Sequence, residues 1–157
     1  MDYIIRPIKE SEYPVLEDFL YQAVFIPEGI KPPPKHIIES AALQVYIKDF
    51  GTYPDDRCLV ADIGGEIVGA VWTRIMNDYG HIDEETPSFA ISLYRKYRHK
   101  GIGTALMKEM LALLAAAGYK KASLSVQKAN YAVKMYENVG FEVYDENEEE
   151  YIMIYKF

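Results

Sequence analysis

Between residues 88 and 117 an extended apolar run, Ser88-Phe-Ala-Ile-Ser-Leu-Tyr94, meets a helical run that begins Gly103-Thr-Ala-Leu-Met. The junction is the basic, glycine-punctuated turn Arg98-His99-Lys100-Gly101-Ile102-Gly103. A chain that passes so abruptly from strand to helix leaves the first backbone N–H groups of the helix without partners. Such groups bind phosphate oxygens. Gly101 and Gly103 remove side chains that would hold a ligand away from the backbone. Arg98, His99 and Lys100 add donors and positive charge in a chain whose net charge is −7. Chemically, the turn reads as a pyrophosphate cradle, with a tight turn carrying a solvated basic face as the plainer alternative.

The acidic balance argues against nucleic acid as a partner for the surface as a whole. It suggests an anionic ligand held at one place and a neutral or cationic partner elsewhere. The chain has 157 residues and half of them are apolar, which suits one domain over residues 1–157. The single cysteine, Cys58, lies in the apolar run Cys58-Leu-Val-Ala61, so a buried structural thiol is expected. A lone cysteine and the absence of a signal-peptide core at the N-terminus lead us to expect a cytoplasmic location without membrane attachment. The three histidines, His36, His81 and His99, show no metal-ligand spacing, and no metal is expected.

The order of elements follows from period and punctuation. Tyr3–Ile8 reads as a strand. Ser11 is the expected N-cap of a helix over Glu12–Phe25. Pro27–Pro34 is a stiff loop leading to a second helix over His36–Phe50. Arg57–Ile63 and Glu66–Met76 flank Gly64-Gly65, a two-residue hairpin signal. Strand Ser88–Tyr94, the glycine turn and a helix to Ala117 follow, with Gly118 as the stop. Lys121–Gln127 is a strand, Ala129–Asn138 a helix stopped by Gly140, and Phe141–Asp145 and Tyr151–Phe157 are strands around an acidic turn.

This order resembles the GNAT superfamily of acetyl-CoA-dependent N-acetyltransferases. The family signature Q/R-x-x-G-x-G/A is matched by Arg98-His-Lys-Gly101-Ile-Gly103. A second pattern, an Asn followed by Ala, Tyr and Gly-Phe, reads here Asn130-Tyr-Ala-Val-Lys-Met-Tyr136-Glu-Asn-Val-Gly140-Phe141. A third is the strand Ile91-Ser92-Leu93 just before the arginine. Arg95 stands where many relatives carry proline. The resemblance implies an α/β (α+β) fold. It would be a mixed, mostly antiparallel sheet of about seven strands, splayed in the middle and flanked by four helices.

The resemblance also implies a site. The pyrophosphate of acetyl-CoA would rest on the backbone of His99 to Thr104, and its pantetheine arm would pair with strand Ile91-Ser92-Leu93. Tyr136 would protonate the departing thiolate; its alternative is a core aromatic on the face shared with Val133 and Val139. Asn130 would meet the cofactor, or would simply cap a helix. No general base is assigned, because the strand before the turn carries no carboxylate and His81, Asp83, Glu84 and Glu85 lie upstream in a charged loop. The co-substrate would be acetyl-CoA and the partner a primary amine. The segments expected to flank the acceptor cleft are Pro27–Pro34 and Asp145–Glu150. The second is strongly acidic, which favours a cationic acceptor such as a polyamine, a basic amino acid or a lysine or N-terminus in a basic peptide. A non-catalytic acetyl-CoA sensor of the same fold is the competing function, and a homodimer stays open. A dinucleotide-binding unit fits poorly, since Leu106 stands where its third glycine belongs.

Overall fold

The computed structural model describes residues 2–157. Seven strands form one sheet in the order β1-β2-β3-β4-β5-β7-β6. They are β1 (Ile4–Pro7), β2 (Arg57–Ile63), β3 (Glu66–Arg74), β4 (Ser88–Leu93), β5 (Lys121–Gln127), β6 (Glu142–Glu146) and β7 (Glu150–Lys156). The helices are α1 (Val15–Ala23), α2 (Ala41–Gln44), α3 (Ile102–Ala116) and α4 (Ala132–Val139). Every neighbouring pair is antiparallel except β4 and β5, which run parallel.

The local signals account for most of these elements. Gly64 and Gly65 take φ of 58° and 95°, the two left-handed residues that a tight hairpin with the right twist demands. Helix α3 ends at Gly118, where the N–H of Tyr119 reaches the carbonyl of Leu114 at 3.2 Å and closes a Schellman stop. Helix α4 ends at Gly140 (φ 116°), and the N–H of Phe141 returns to the carbonyl of Tyr136 at 3.0 Å. A β-carbon at Gly140 would come within 2.8 Å of the Tyr155 ring, so the position is closed by packing as well as by φ.

Two cores lie on opposite faces of the sheet. On one, Ile102, Leu106, Met110 and Leu114 of α3 pack against Val71, Phe89 and Leu124, together with Tyr136 and Phe141. On the other, Leu16, Phe19 and Leu20 of α1 pack on Cys58, Val60 and Trp72. Cys58 is buried there as expected, and burial pushes its thiol pKa up.

The second helix departs from expectation. Residues 35–39 form a 3-10 turn, Ser40 is extended (ψ 146°), and α2 is four residues long before the chain turns to Phe50. Consecutive Ile37 and Ile38 are poor helix formers, and tertiary bonds claim the backbone: Gln44 Nε2 donates to the carbonyl of Ile38 at 2.8 Å. The indole of buried Trp72 donates to the carbonyl of Tyr46 at 3.0 Å. Arg74 donates to the carbonyls of Val45 and Lys48 at 3.2 and 2.9 Å. Ser11 does not cap α1; it lies inside a 3-10 turn over Glu10–Glu12, and Pro14 holds the cap position. Among the described residues no helix is long and apolar enough to cross a membrane.

Candidate active site

Strands β4 and β5 pair only where they begin. The Ser88–Ser123 position is the sole register partner, supported by Ser123 N–H donating to the carbonyl of Pro87 at 3.0 Å. Beyond it the strands diverge, and a cleft of about 940 Å³ opens through the sheet. The N–H of Tyr94 donates to Val68 of β3 at 3.0 Å. By the alternation of a strand, Ser92 and Ala90 also turn their backbone groups to β3, while Ile91 and Leu93 turn theirs into the gap. Unpaired strand backbone of this kind accepts an extended ligand as an added strand. Ser92 lines the cleft too, but its hydroxyl is committed to the carbonyl of Phe19 at 2.6 Å.

At the open end of the gap lies the glycine turn. His99 and Gly101 are left-handed, with φ of 62° and 85°. For the non-glycine His99 this costs on the order of 1 kcal/mol. Its ring stacks on Tyr131 with centroids 5.0 Å apart, and its Nε2 lies 3.0 Å from the tyrosine hydroxyl. The first α-helical bond of α3 runs from Ala105 N–H to the carbonyl of Gly101 at 3.1 Å, which leaves the N–H groups of Ile102, Gly103 and Thr104 without α-helical acceptors. The space where a Gly101 side chain would project is open. A Gly103 side chain would press on Leu93 Cδ1 at 3.3 Å, so this glycine also lets the turn sit down on β4.

The individual residues separate in what they offer. Gly101, Gly103 and Thr104 line the cleft; Ile102 does not, being 1% exposed in the core. Lys100 is exposed outside the lining. Arg98 is half-buried and its guanidinium ties the site together: Nε donates to the carbonyl of Leu93 at 3.0 Å, and a terminal nitrogen donates to the backbone and side-chain oxygens of Gln22 at 3.1 and 3.2 Å. Burial lowers its pKa. Asn130 caps α4, its Oδ1 accepting from Ala132 N–H at 2.9 Å, and it also lines the cleft.

Tyr136 is a core aromatic that also reaches the cleft. Its ring packs edge-on to Phe141 at 6.2 Å, in the core beneath α3 and α4, and it also forms part of the cleft wall. Burial pushes its phenol up to about 12, so it holds its proton throughout the neutral range.

The opposite wall carries three residues that no local pattern marks: Tyr46, Ser125 and Gln127 line the cleft from the α1 face of the sheet, beside Glu150 at the end of the acidic turn. Of the acidic turn, Glu150 alone lines the cleft; Glu146 pairs with Lys128 at 2.8 Å, and Glu148 and Glu149 are exposed. Gln127 Nε2 donates to Glu150 Oε1 at 2.9 Å, and partial burial raises the Glu150 pKa, with Glu149 adding to it. His81, Asp83, Glu84 and Glu85 do not line the cleft. Asp83 instead closes its own loop, accepting from Glu85 N–H and Thr86 Oγ1 at 2.8 Å each.

The acetyltransferase (GNAT) family profile matches residues 21–141, from α1 through the cradle to Phe141. An acetyltransferase of Sodalis glossinidius (strain morsitans) is 36% identical over 92 residues, 57% of this chain and 60% of that protein. One from Pectobacterium atrosepticum is 36% identical over the same length. The match thus spans about 60% of the length of these curated relatives. Among solved structures, the PaiA N-acetyltransferase of Thermoplasma acidophilum, in complex with coenzyme A, superposes with a TM-score of 0.74 at 20% identity over the whole of both chains. The ribosomal-protein-S18-alanine N-acetyltransferase of Escherichia coli superposes at 0.69 with 16% identity, over 99% of this chain and 94% of that one. These structures share the fold. On the profile match and the architecture together, this chain belongs to the acetyltransferase (GNAT) family.

Proposed function

We propose that the protein is an acyltransferase that moves an acetyl group from acetyl-CoA directly to the nitrogen of a primary amine. The observation that carries this reading is the through-sheet gap, with a phosphate-compatible helix start at its open end and a proton-holding tyrosine in its wall. Family membership and the coenzyme A complex of the Thermoplasma protein support the choice of co-substrate.

The residues fit that ligand. The backbone of His99 to Thr104 would hold the pyrophosphate. Ile91 and the N–H of Leu93 would hold the pantetheine arm, while the Leu93 carbonyl is already engaged by Arg98. The thioester supplies an activated acyl group with a thiolate leaving group. Tyr136 sits on the α3 face and can hand its proton to the sulfur, a role worth on the order of 10² in rate for a positioned acid. The amine would enter from the other face, past Tyr46, Ser125 and Glu150.

Glu150 makes the acceptor cationic in this reading. It is a half-buried carboxylate in the cleft wall of an acidic protein, and it would attract an ammonium and repel an anion. The test is kcat/KM for a panel of cationic, neutral and anionic amines against ionic strength. We expect cationic amines to lead and their advantage to shrink with salt. Glu150→Gln should raise KM for them, while Glu148→Gln and Glu149→Gln should change mainly the salt dependence. A salt-independent preference for anionic amines would overturn the cationic assignment.

A further inference from the structure

Part of the cleft wall is apolar surface that the folded core does not use. Helix α1 ends at Ala23, and the chain then runs as a loop to the 3-10 turn over residues 35–39. The loop opens on three consecutive apolar residues, Val24, Phe25 and Ile26. Each is half-buried and lines the cleft, yet none belongs to either core or to the partly buried residues packed against them. Pro32, further along the loop, joins them in the lining. The loop's charged residues Glu28 and Lys31 are exposed and lie outside it. An apolar wall in a concave site gains free energy when a ligand removes it from water.

This wall is fixed in place before any ligand arrives. Helix α1 is held to β4 by Ser92 Oγ, which donates to the carbonyl of Phe19 at 2.6 Å. Arg98 holds the root of the loop through the carbonyl of Gln22 at 3.1 Å. At the far end, the Tyr21 hydroxyl donates to the carbonyl of Pro33 at 2.5 Å, and Lys35 pairs with Asp18 at 2.5 Å. Between them the N–H of Ile30 closes a turn on the carbonyl of Pro27 at 3.1 Å. Prolines at positions 27 and 32–34 restrict the backbone further. A wall ordered in this way leaves little conformational entropy for a ligand to remove.

Across the gap the cleft offers one negative charge. Glu150 of β7 pairs in register with Gln127 of β5, and Gln127 Nε2 donates to Glu150 Oε1 at 2.9 Å. Among the described residues no other carboxylate lines the cleft. Its basic groups, Arg95, Arg98 and His99, belong to the strand-to-helix segment that forms the cradle. A ligand spanning the two walls therefore finds a partner for a single ammonium. A second ammonium laid along Val24, Phe25 and Ile26 would lose water and meet no carboxylate, which is costly.

We propose that the acceptor is a primary amine with one positive charge and an apolar body, its ammonium at Glu150 and its alkyl chain or aromatic ring against Val24, Phe25 and Ile26. This names the substrate class within the acetyl-transfer reading and rests on it. It sets aside polyamines and basic amino acids, whose second cation has no counterpart on the loop. The same chemistry is carried by a free amine and by the first residue of a peptide that begins with an apolar side chain.

The experiment compares kcat/KM for acetyl transfer by the full chain, at fixed pH, across straight-chain amines from ethylamine to hexylamine. Phenethylamine, phenylalanyl-glycinamide and α,ω-diaminobutane complete the panel. Calorimetric titration with CoA and thermal melting accompany it. In wild type kcat/KM should rise by roughly threefold to fourfold for each methylene that the wall covers. Pentylamine should lead the equally long diaminobutane by on the order of 10-fold or more. Phe25→Ala and Ile26→Ala should flatten the dependence on chain length, chiefly through KM, and Phe25→Leu should restore most of it. CoA affinity and melting should stay near wild type, because these side chains lie outside both cores. A lead over ethylamine by either phenethylamine or the phenylalanyl amide supports the proposal and names the source of the amine. No length dependence in wild type would overturn it, as would a diamine that matches pentylamine. A steep dependence that survives in both alanine variants overturns it, and so does a loss of CoA affinity in Phe25→Ala, which would give the loop to the co-substrate. Wild type that binds CoA and acetylates amines without regard to their length removes this proposal only. Wild type that acetylates no amine removes the parent reading as well.

Discussion

Tyr136 is a residue whose packing and chemistry share one cause. Its ring is held by the core under α3 and α4, and the same burial keeps its phenol protonated at about 12. Tyr136→Phe should therefore leave melting and CoA affinity near wild type while lowering kcat on the order of 10²-fold, since the lost proton matters only in the transition state. Unchanged kcat with a lower melting temperature would make it a core residue only. Its motif spacing to Asn130 and Gly140-Phe141 made the candidate legible in the sequence. Tyr46 was not legible. It is one of 14 tyrosines, it sits in a turn and not on a regular element, and it reaches the cleft only through the fold.

At the scale of elements, β1 is fastened to the first turn and to the β2–β3 hairpin by charges. Arg6 donates to Glu12 at 2.8 and 2.9 Å and to Asp62 at 2.9 Å. Glu12 Oε1 also accepts from Lys9 N–H, and Asp62 Oδ1 from Gly65 N–H at 2.7 Å. The Arg6 hydrogen bond, then the Lys9 backbone, hold Glu12 down at about 2. A depressed carboxylate contributes its stability fully above its unfolded value, about 4.3, and loses it as the pH falls through the folded one. Partial solvation limits the effect to about 1 kcal/mol or less, roughly 2–4 °C in a chain of this size. The drop in melting temperature between neutral pH and pH about 2 should be smaller in Glu12→Gln than in wild type; equal drops would show that the cluster adds nothing at neutral pH. Elements with local punctuation, such as the Gly64-Gly65 hairpin and α3, matched their sequence signals closely. The second helix did not, because Trp72, Arg74 and Gln44 bind its backbone in a turn that its own residues do not specify.

At the scale of the molecule, two parts of one sheet, β1–β4 and β5–β7, meet in a single strand position and otherwise face each other across the cleft. A ligand laid between them would replace missing sheet contacts. CoA at 100 times its Kd should stabilise by about 2.7 kcal/mol and raise the melting temperature by roughly 5–10 °C. Hydrogen exchange should slow at Ile91 and Leu93. Gly101→Asp, whose side chain meets open space but whose carboxylate would face the phosphates, should fold and lose the shift. A full shift in that variant would move the CoA site elsewhere. The cradle, the hairpin, the helix stops and the order of elements along the chain were set by spacings of a few residues, because backbone turns and caps are local commitments. The split between β4 and β5, the turning of Ile91 and Leu93 into it, and the convergence of Tyr46, Ser125, Gln127 and Glu150 arise only when distant segments pack. Those relations depend on which carbonyls Trp72, Arg74 and Arg98 capture across the fold, and no local period encodes a long-range hydrogen bond.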